Sequence, residues 1–501
     1  MVKTIVVSCI FAILILSCGG SEDPENDSQS NVDEDTLTEE QNDEDAAGSC
    51  GDGYEFDEDG NCIDINECES DENACNYENS KCTNTEGSFE CGCASDYVLK
   101  GEADCKYRFD FEGPEYEGDV LLVINESLDK YNKEFTGTFA EKDALPVLSN
   151  TSLFYPQMLQ KEGLTRIEPK ANEEDTAAEG DTEELGTIDG KVPATLLKIG
   201  KYCKVWVEDE ISSQYTQDDI DDLAKEFDET IYPLVTENFF GPSDVNMDGK
   251  VAIFIYDIRD PGIGGYFYPY DLSGDEGSNM REILYIDYAN IVSNYSTIAH
   301  ELQHLVHYNA NVFVEEGDSP KNKSYSWIDE GLAMAAEHLY VGVRNSRITY
   351  FNSNKEIREG HSLLYWDQYV DPLPNYSLSY LFFQYLSIQT GRDESLFKDI
   401  IEDLNNNDTT VDNIIKKYLD SDKDLNDVMR EFRLALLVNE DEGVYGFGGD
   451  EDFDSIKAKF YTGTGIDIRG GGALYVEIDG EFTEPQDKGE NIKYVGVYLD
   501  K

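Results

Sequence analysis

The chain has 501 residues, of which 40% are hydrophobic, so it is long enough to form several domains with packed cores. Its formal net charge is −68, from 106 acidic and 38 basic residues. This charge excludes nucleic acid as a partner, because no basic patch is available to neutralise phosphates. We interpret it as a general adaptation of a well-hydrated surface, in preference to a specific site for a cationic substrate.

The N-terminus has the pattern of an export signal. Lys3 precedes an apolar run from Ile5 to Leu16, which is too short to span a membrane as a helix. The sequence Ile15-Leu16-Ser17-Cys18 resembles a bacterial lipobox. That resemblance implies a lipoprotein signal peptide over residues 1–17 and a lipid on Cys18, which would anchor the protein to a membrane. An ordinary signal peptide that contains a cysteine is the alternative.

Residues 18–48 are rich in Asp, Glu, Ser, Asn and Gln. Such a segment cannot bury enough apolar surface to fold, so we expect a disordered tether. Together with the signal, it predicts an exported protein of the bacterial cell envelope, lipid-anchored at the outer membrane or cell surface.

Eight cysteines between positions 50 and 105 form an even cluster, which predicts disulfides in an oxidising compartment. Their spacing alone leaves the pairing open. Six of them resemble an EGF module, and Cys50 and Cys62 resemble the last hairpin of a truncated preceding module. The EGF resemblance implies the pairs Cys68–Cys82, Cys75–Cys91 and Cys93–Cys105. Cys203 is left over and is expected to be a buried free thiol.

Residues 49–106 also resemble the calcium-binding subclass of EGF modules. The two segments that carry this resemblance are Asp64-Ile65-Asn66-Glu67-Cys68 and the run from Cys82 to Cys91, CTNTEGSFEC. The expected ligands are the side-chain oxygens of Asp64, Glu67 and Asn84 and the carbonyl oxygens of Ile65 and Ser88. An acidic, disulfide-linked spacer without metal is the alternative.

Two further segments precede the most informative part of the chain. Strand-like runs such as Val120–Ile124 alternate with acidic loops and predict a small β-rich N-terminal domain over residues 107–193, with an inhibitory pro-segment as one interpretation. Asp244-Val245-Asn246-Met247-Asp248-Gly249 begins like a calcium loop, but its twelfth position is Ile255 where an EF-hand has glutamate. We therefore favour a hairpin turn between the loop and the following strand.

The next two segments, a predicted strand and a predicted helix, carry the candidate catalytic residues. Residues 283–288 predict a strand, expected to lie at a sheet edge where it can hold an extended peptide. The next segment has helical apolar spacing and contains His300-Glu301-Leu302-Gln303-His304. Residues four apart share a helix face, so His300 and His304 can bind one zinc ion, and Glu301 can act as a base toward water. The alternative, a surface helix with two solvated histidines, is weakened because the chain has only five histidines.

A second helical pattern, Trp327-Ile328-Asp329-Glu330-Gly331-Leu332-Ala333-Met334-Ala335-Ala336-Glu337, offers Glu330 as a third zinc ligand. Glu337 lies two turns further along the same face, where it can orient a ligand histidine.

The pair HELQH and WIDEGLAMAAE resembles the gluzincin metallopeptidases, and the second segment is similar to the aminopeptidase-type WLNEGFAxxxE. The landmarks ATLLKIGKYCKVWVED, DVNMDGKVAIFIYDI, GGYFYPYD and YLFFQYL resemble the hyicolysin-type metallopeptidases most closely. The resemblance implies zinc bound by His300, His304 and Glu330, Glu301 as general base, and a later tyrosine as oxyanion donor. Tyr376 is the first candidate for that tyrosine and Tyr380 the second; both could instead be core aromatics.

The predicted fold class is therefore multidomain: an EGF-like module, the small β-rich domain, an α+β zincin-type metallopeptidase domain over residues 194–437, and a small C-terminal β domain over residues 438–501. The predicted function is a zinc metalloendopeptidase acting on protein or peptide substrates. Endopeptidase is favoured because the Gly-x-Met-Glu-Asn element that anchors a free amino terminus in aminopeptidases is absent from the sequence. The alternatives are a non-catalytic, calcium-dependent surface adhesion protein with a degenerate peptidase domain, and zinc hydrolysis of a non-peptide substrate.

Overall fold

The structure is a computed structural model that describes residues 50–70, 74–101, 103–140, 177–260, 262–291, 295–312, 325–366, 371–403 and 405–499. The predicted signal peptide, Cys18 and the acidic tether lie outside these residues. Among the helices of the described ranges, none is both long and apolar enough to cross a membrane. The chain divides into two compact units, whose described parts are residues 50–65 with 86–88, and residues 66–85 with 89–499.

The first unit is built on a short antiparallel hairpin. Its strands are β1 (Tyr54–Phe56) and β2 (Cys62–Asp64). The disulfide Cys50–Cys62 ties the chain before β1 to the start of β2. The backbone N–H of Gly87 donates to Asp64 Oδ1 within this unit.

The EGF-like segment continues with one short helix and two antiparallel strand pairs. Its elements are α1 (Glu67–Ser70), β3 (Ser80–Thr85), β4 (Ser88–Cys93), β5 (Tyr97–Lys100) and β6 (Asp104–Tyr107). Three more disulfides join Cys68–Cys82, Cys75–Cys91 and Cys93–Cys105. All three agree with the pairs implied by the EGF resemblance.

Beyond the EGF-like segment, the strands are β7 (Phe109–Asp110), β8 (Glu115–Asn125), β9 (Lys133–Phe135), β10 (Thr182–Thr187), β11 (Gly190–Ile199), β12 (Cys203–Glu208), β13 (Val251–Tyr256), β14 (Gly265–Phe267), β15 (Ile283–Asp287), β16 (Asp467–Arg469), β17 (Ala473–Thr483) and β18 (Ile492–Val497). The α-helices are α2 (Gln217–Glu226), α3 (Tyr232–Asn238), α4 (Tyr288–Ile291), α5 (Ser296–Val312), α6 (Ser326–Val341), α7 (Asn345–Ser353), α8 (Lys355–Arg358), α9 (Leu373–Gln389), α10 (Leu396–Glu402), α11 (Asp408–Tyr418) and α12 (Leu425–Val438). A π-helical turn, Phe227–Ile231, joins α2 to α3.

A six-stranded mixed sheet supports the helices. Its order is β10-β11-β12-β13-β15-β14, with β12, β13 and β15 parallel and the other neighbours antiparallel. Successive side chains of a strand point to opposite faces. Accordingly Val205, Ile253 and Leu284 join the core shared with the helices, whereas Trp206, Phe254 and Tyr285 form a separate cluster. Cys203 is buried in the helix-facing core as a free thiol, as predicted.

A second sheet combines strands that follow the EGF-like segment with strands from near residue 499. Its order is β17-β8-β18-β7, and β8 is paired on both sides by strands from near the C-terminus. Residues 107–193 and 438–501 were expected to form two separate domains. Instead, β7 and β8 of the first segment share one sheet with β17 and β18 of the second, because the buried run Val120–Ile124 needs a partner on each side. Residues 182–193 were also predicted to belong to the N-terminal β-rich domain. They instead form β10 and the start of β11, which lie in the six-stranded sheet. The remaining domain boundaries stay predictions.

Helices α5, α6 and α9 form the centre of the largest core. Every residue of α9 from Leu373 to Leu386 is buried, and α6 is buried from Trp327 to Glu337. Gly331 permits the close approach of these two helices: a Cβ at this position would lie 2.2 Å from the Phe383 ring. The helix that carries the predicted third ligand is thus fixed on both sides.

Candidate metal centre and active site

Three buried side chains from two helices converge on one point. His300 and His304 extend from one face of α5, and Glu330 extends from α6. The two Nε2 atoms lie 3.2 Å apart, and Glu330 Oε2 lies 3.3 Å from His300 Nε2 and 3.5 Å from His304 Nε2. Ligand atoms of all three residues lie within 4.8 Å of one another. The structure therefore brings together the three predicted zinc ligands.

Two carboxylates of α6 lie beside the other nitrogen of each imidazole. Glu337 Oε1 lies 2.8 Å from His300 Nδ1, and Asp329 Oδ2 lies 3.3 Å from His304 Nδ1. A carboxylate that accepts a hydrogen bond from Nδ1–H keeps the proton on Nδ1 and leaves the lone pair on Nε2. In that tautomer the two Nε2 lone pairs and Glu330 Oε2 face the same point. This donor set fits a zinc ion, which binds imidazole nitrogen and carboxylate oxygen.

Glu301 is buried beside this cluster, on the same helix as the two histidines. Its Oε1 atom is buried and has no hydrogen-bond partner within the described part of the chain. Burial raises the pKa of Glu301 to about 7, and the neighbouring His300 and His304 partly oppose that rise. A buried carboxylate with a free oxygen and a pKa near neutrality is suited to accept and release a proton.

The two candidate tyrosines have different surroundings. The ring of Tyr376 lies 6.5 Å from the His300 ring, and burial together with the Glu330 and Glu301 carboxylates raises the pKa of Tyr376 well above its usual value. Tyr380 points elsewhere: its hydroxyl lies 3.0 Å from His338 Nδ1 and accepts the backbone N–H of Arg344 at 2.9 Å. Tyr376 is therefore the candidate that lies against the metal-binding cluster.

The sheet edge nearest α5 is formed by β14, not by the strand that the sequence suggested. The predicted edge segment forms β15, which lies between β13 and β14. The edge prediction was wrong because the three-residue strand β14 carries no clear periodicity of its own. Gly265 in β14 allows the sheet to approach α5, since a Cβ there would lie 2.7 Å from the Thr297 side chain and 2.8 Å from the Tyr285 carbonyl.

Sequence reasoning missed several residues that support the centre. Asp329 binds His304 and also His307, whose Nδ1 lies 2.7 Å from Asp329 Oδ1. Arg344 pairs with Glu337 at 2.8 Å, and the guanidinium of Arg347 lies 5.1 Å from the centre of the Tyr376 ring. The third histidine of the HELQHLVH run was a usable signal for Asp329. The two arginines follow the end of α6, where sequence spacing gives no indication of contact.

The predicted calcium ligands of the EGF-like module lie in short backbone contacts. Asp64 accepts the N–H of Gly87 in the first unit. In the second unit, Asn84 Oδ1 accepts the backbone N–H of Glu67 at 3.2 Å, and Glu67 Oε2 is buried without a hydrogen-bond partner in the described residues. Ile65 donates its N–H to the Gly53 carbonyl, and Ser88 begins β4.

Comparison with known proteins finds similarities for the EGF-like module and for the region that contains the metal-binding cluster. The calcium-binding EGF domain family matches residues 64–105. The neutral metalloprotease ShpI of Staphylococcus hyicus is 37% identical over 334 residues, which cover 63% of this chain and 75% of that protein. The protein disulfide isomerase crld-1 of Caenorhabditis elegans is 41% identical over 58 residues, covering 12% of this chain and 16% of that protein. The structure of native yeast LTA4 hydrolase aligns with a TM-score of 0.32 at 14% identity, over 50% of this chain and 43% of that one.

The similarity to ShpI spans three quarters of that protein, and the three metal-binding side chains and Glu301 are buried together. A degenerate peptidase domain, the alternative that the sequence left open, is therefore not supported. The match over residues 64–105 identifies calcium as the second metal of the chain. The chain belongs to the family of the neutral metalloprotease ShpI and is a zinc-dependent peptidase that carries a calcium-binding EGF domain.

Proposed function

We propose that the chain is an exported, lipid-anchored metalloendopeptidase in which His300, His304 and Glu330 hold zinc and Glu301 is the general base. The observation that carries this proposal is the buried convergence of these residues, with an unpartnered Glu301 oxygen beside them. When bound there, zinc supplies a Lewis acid that polarises a peptide carbonyl and activates water. Proton transfer, stabilisation of the oxyanion and orientation of the histidines are the work of the protein's own side chains.

Glu301 takes the proton from the attacking water and passes it to the nitrogen of the leaving amine. Its Oε1 atom has no other hydrogen bond to break in the described residues, so both transfers start from a prearranged oxygen. Tyr376 donates its phenolic proton in a hydrogen bond to the developing oxyanion, because its raised pKa keeps it protonated. Glu337 and Asp329 hold the two imidazoles in the orientation that leaves Nε2 free.

The edge strand β14 is the proposed docking site for the substrate backbone. It is the outermost strand in the sheet order and lies against the first turn of α5, where Gly265 makes room for Thr297. An extended peptide that adds to this edge would run past the metal centre and would need no free terminus. This placement, with the absence of an amino-terminal anchor in the sequence, favours cleavage within a chain.

Export and anchoring rest on the N-terminal sequence and on the disulfides. Four disulfides require an oxidising compartment, which agrees with a signal peptide over residues 1–17. Lipid on Cys18 would then anchor the enzyme to the cell envelope, with residues 18–48 as the tether. In the EGF-like module, Asp64, Glu67, Asn84 and the carbonyls of Ile65 and Ser88 are the proposed calcium ligands.

The substitution Glu301→Gln tests the base. It keeps the size of the side chain but cannot accept a proton, so turnover of an unfolded protein substrate should fall about 10²–10⁴-fold. Zinc content should stay at the parent value, because all three ligands remain. Glu229→Gln, which removes the same charge from an exposed position, is the control and should keep full activity. Turnover within a few-fold of the parent in Glu301→Gln would show that another group is the base.

A further inference from the structure

The loop between α3 and β13 carries oxygen-bearing side chains that belong neither to the zinc centre nor to the EGF-like module. Asp244, Asn246 and Asp248 alternate along it, and Gly249 follows. Asp244 Oδ1 accepts the backbone N–H of Gly249 at 3.1 Å, and Met247 and Gly249 have φ of +58° and +66°. The loop does not form the predicted hairpin, because β13 pairs in parallel with β12 and β15.

A buried carboxylate from a distant part of the sequence enters this loop. Glu282, immediately before β15, is fully buried. Its Oε1 accepts the Ser243 hydroxyl at 2.6 Å and the backbone N–H of Val245 at 2.9 Å, which aims the carboxyl group at the loop. Its Oε2 atom is buried and has no hydrogen-bond partner in the described residues. A buried acceptor of this kind normally has a donor or a cation against it.

A second unpartnered acceptor lies on the loop itself. Asn246 Oδ1 is buried and also has no hydrogen-bond partner among the described residues. Both orphaned atoms are oxygens, and with Asp244 they offer two carboxylates and one amide. Oxygen ligands from carboxylates, amides and carbonyls are those that calcium takes.

We propose that the Asp244–Gly249 loop binds a calcium ion, with Glu282 in the role that the last glutamate plays in an EF-hand. Asp244, Asn246 and Glu282 are the side-chain ligands. Asp248 positions the loop, because its Oδ2 forms an ion pair with the buried Lys204 at 2.7 Å and its Oδ1 accepts the N–H of Lys250. The sequence concealed this site, since the acidic residue that completes it stands 38 positions after Asp244 in chain order (282 minus 244).

The ion would fasten the loop to the catalytic framework. Gly241, which opens the loop region, accepts a hydrogen bond at 2.8 Å from the side chain of Asn309 on α5, the helix that carries His300 and His304. Glu282 joins the loop to β15, and its carbonyl accepts the N–H of Ala252 in β13 at 2.7 Å. Calcium here therefore stabilises the peptidase core and takes no part in the chemistry.

Calcium content of the full chain tests the proposal. Parent, Asp244→Asn, Glu282→Gln and the control Asp189→Asn are stripped of calcium, returned to buffer with zinc and calcium, and analysed for calcium per chain. Parent and Asp189→Asn should bind two calcium ions, one of them in the EGF-like module, and the other two variants should bind one. Asp244 is exposed, so Asp244→Asn keeps the test valid if the buried substitution Glu282→Gln does not fold. Calcium should raise the thermal midpoint of zinc-loaded parent more than that of Asp244→Asn.

Equal calcium content in parent and Asp244→Asn, with equal calcium-dependent rises in the thermal midpoint, would overturn the proposal. Glu282 would then be a protonated core carboxyl, and the loop would be a turn without metal.

Discussion

Tyr376 and Tyr380 lie one turn apart on α9, but only Tyr376 lies against the metal-binding cluster. The hydroxyl of Tyr380 is engaged by His338 and by the N–H of Arg344, whereas Tyr376 lies among His300, Glu330 and Arg347. Sequence alone could not separate them, because both sit in a continuous buried helix whose hydrophobicity has no polar face. Their tertiary partners come from loops and helices that spacing along α9 does not reveal.

Replacing each tyrosine by phenylalanine should therefore give different results. Tyr376→Phe should lower kcat about 10²-fold with little change in zinc content, because it removes one donor to the oxyanion. Tyr380→Phe should leave kcat near the parent value and cost about 1 kcal/mol of the free energy of unfolding, since it removes a structural hydrogen bond. Steady-state kinetics and chemical unfolding of both variants measure this. A larger loss of kcat in Tyr380→Phe would reverse the assignment.

Asp271 is a buried carboxyl outside the active site with a predictable effect of pH. Burial raises the pKa of Asp271 to about 6, despite hydrogen bonds from Tyr285 and the N–H of Asn279. In the unfolded chain its pKa is near the usual value, so the folded state holds an extra proton between about pH 4 and pH 6. This contribution to stability is complete below that window and is lost as the pH rises through it.

The substitution Asp271→Asn should remove this component of the pH dependence. Relative to the variant, the parent should lose up to about 3 kcal/mol of the free energy of unfolding between pH 4 and pH 6. Denaturant unfolding at several pH values measures the difference, with the exposed Asp189→Asn as the control. Parallel pH profiles for parent and Asp271→Asn would contradict the assignment.

At the scale of elements, α6 contributes one residue of the metal-binding cluster and the carboxylates that lie beside both histidines of α5. It supplies the ligand Glu330, the Asp329 partner of His304 and the Glu337 partner of His300. Helical spacing predicted the ligand and Glu337, because positions seven apart share one face. It did not predict Asp329, which reaches His304 and His307 only because α5 packs against α6 along this side. The edge strand β14 was not predicted, because three residues are too few to show the alternation of apolar and polar side chains that indicates a strand.

The partnership between Glu337 and His300 should be visible as zinc affinity. Glu337→Gln keeps the shape but weakens the hydrogen bond to His300 Nδ1 and the ion pair with Arg344. Zinc should dissociate about 10–100-fold more readily, and activity should recover when zinc is added in excess. Competition with a zinc chelator measures the affinity. Unchanged zinc affinity would mean that Glu337 only stabilises the fold.

At the scale of the whole molecule, two predictions have different outcomes. The EGF disulfides were predictable, because a family pattern fixes the pairing that spacing leaves open, and the three implied bonds form as expected. The separation of residues 107–193 from 438–501 was not, because pairing between distant strands leaves no trace in local sequence. Removal of residues 107–193 as a pro-segment would take β8 from the middle of one sheet and β10 and β11 from another. That interpretation is therefore not favoured.

The central claim is that one buried zinc, held by two turns of α5 and by Glu330, is the source of the peptidase activity. Zinc per chain and turnover of an unfolded protein substrate, measured on the same preparation of His304→Ala, test it most directly. His338→Gln, which removes an imidazole from α6 outside the metal cluster, is the matched control. Zinc and turnover should both fall to background in His304→Ala and remain near parent values in the control. Full zinc occupancy with undiminished turnover in His304→Ala would contradict the claim.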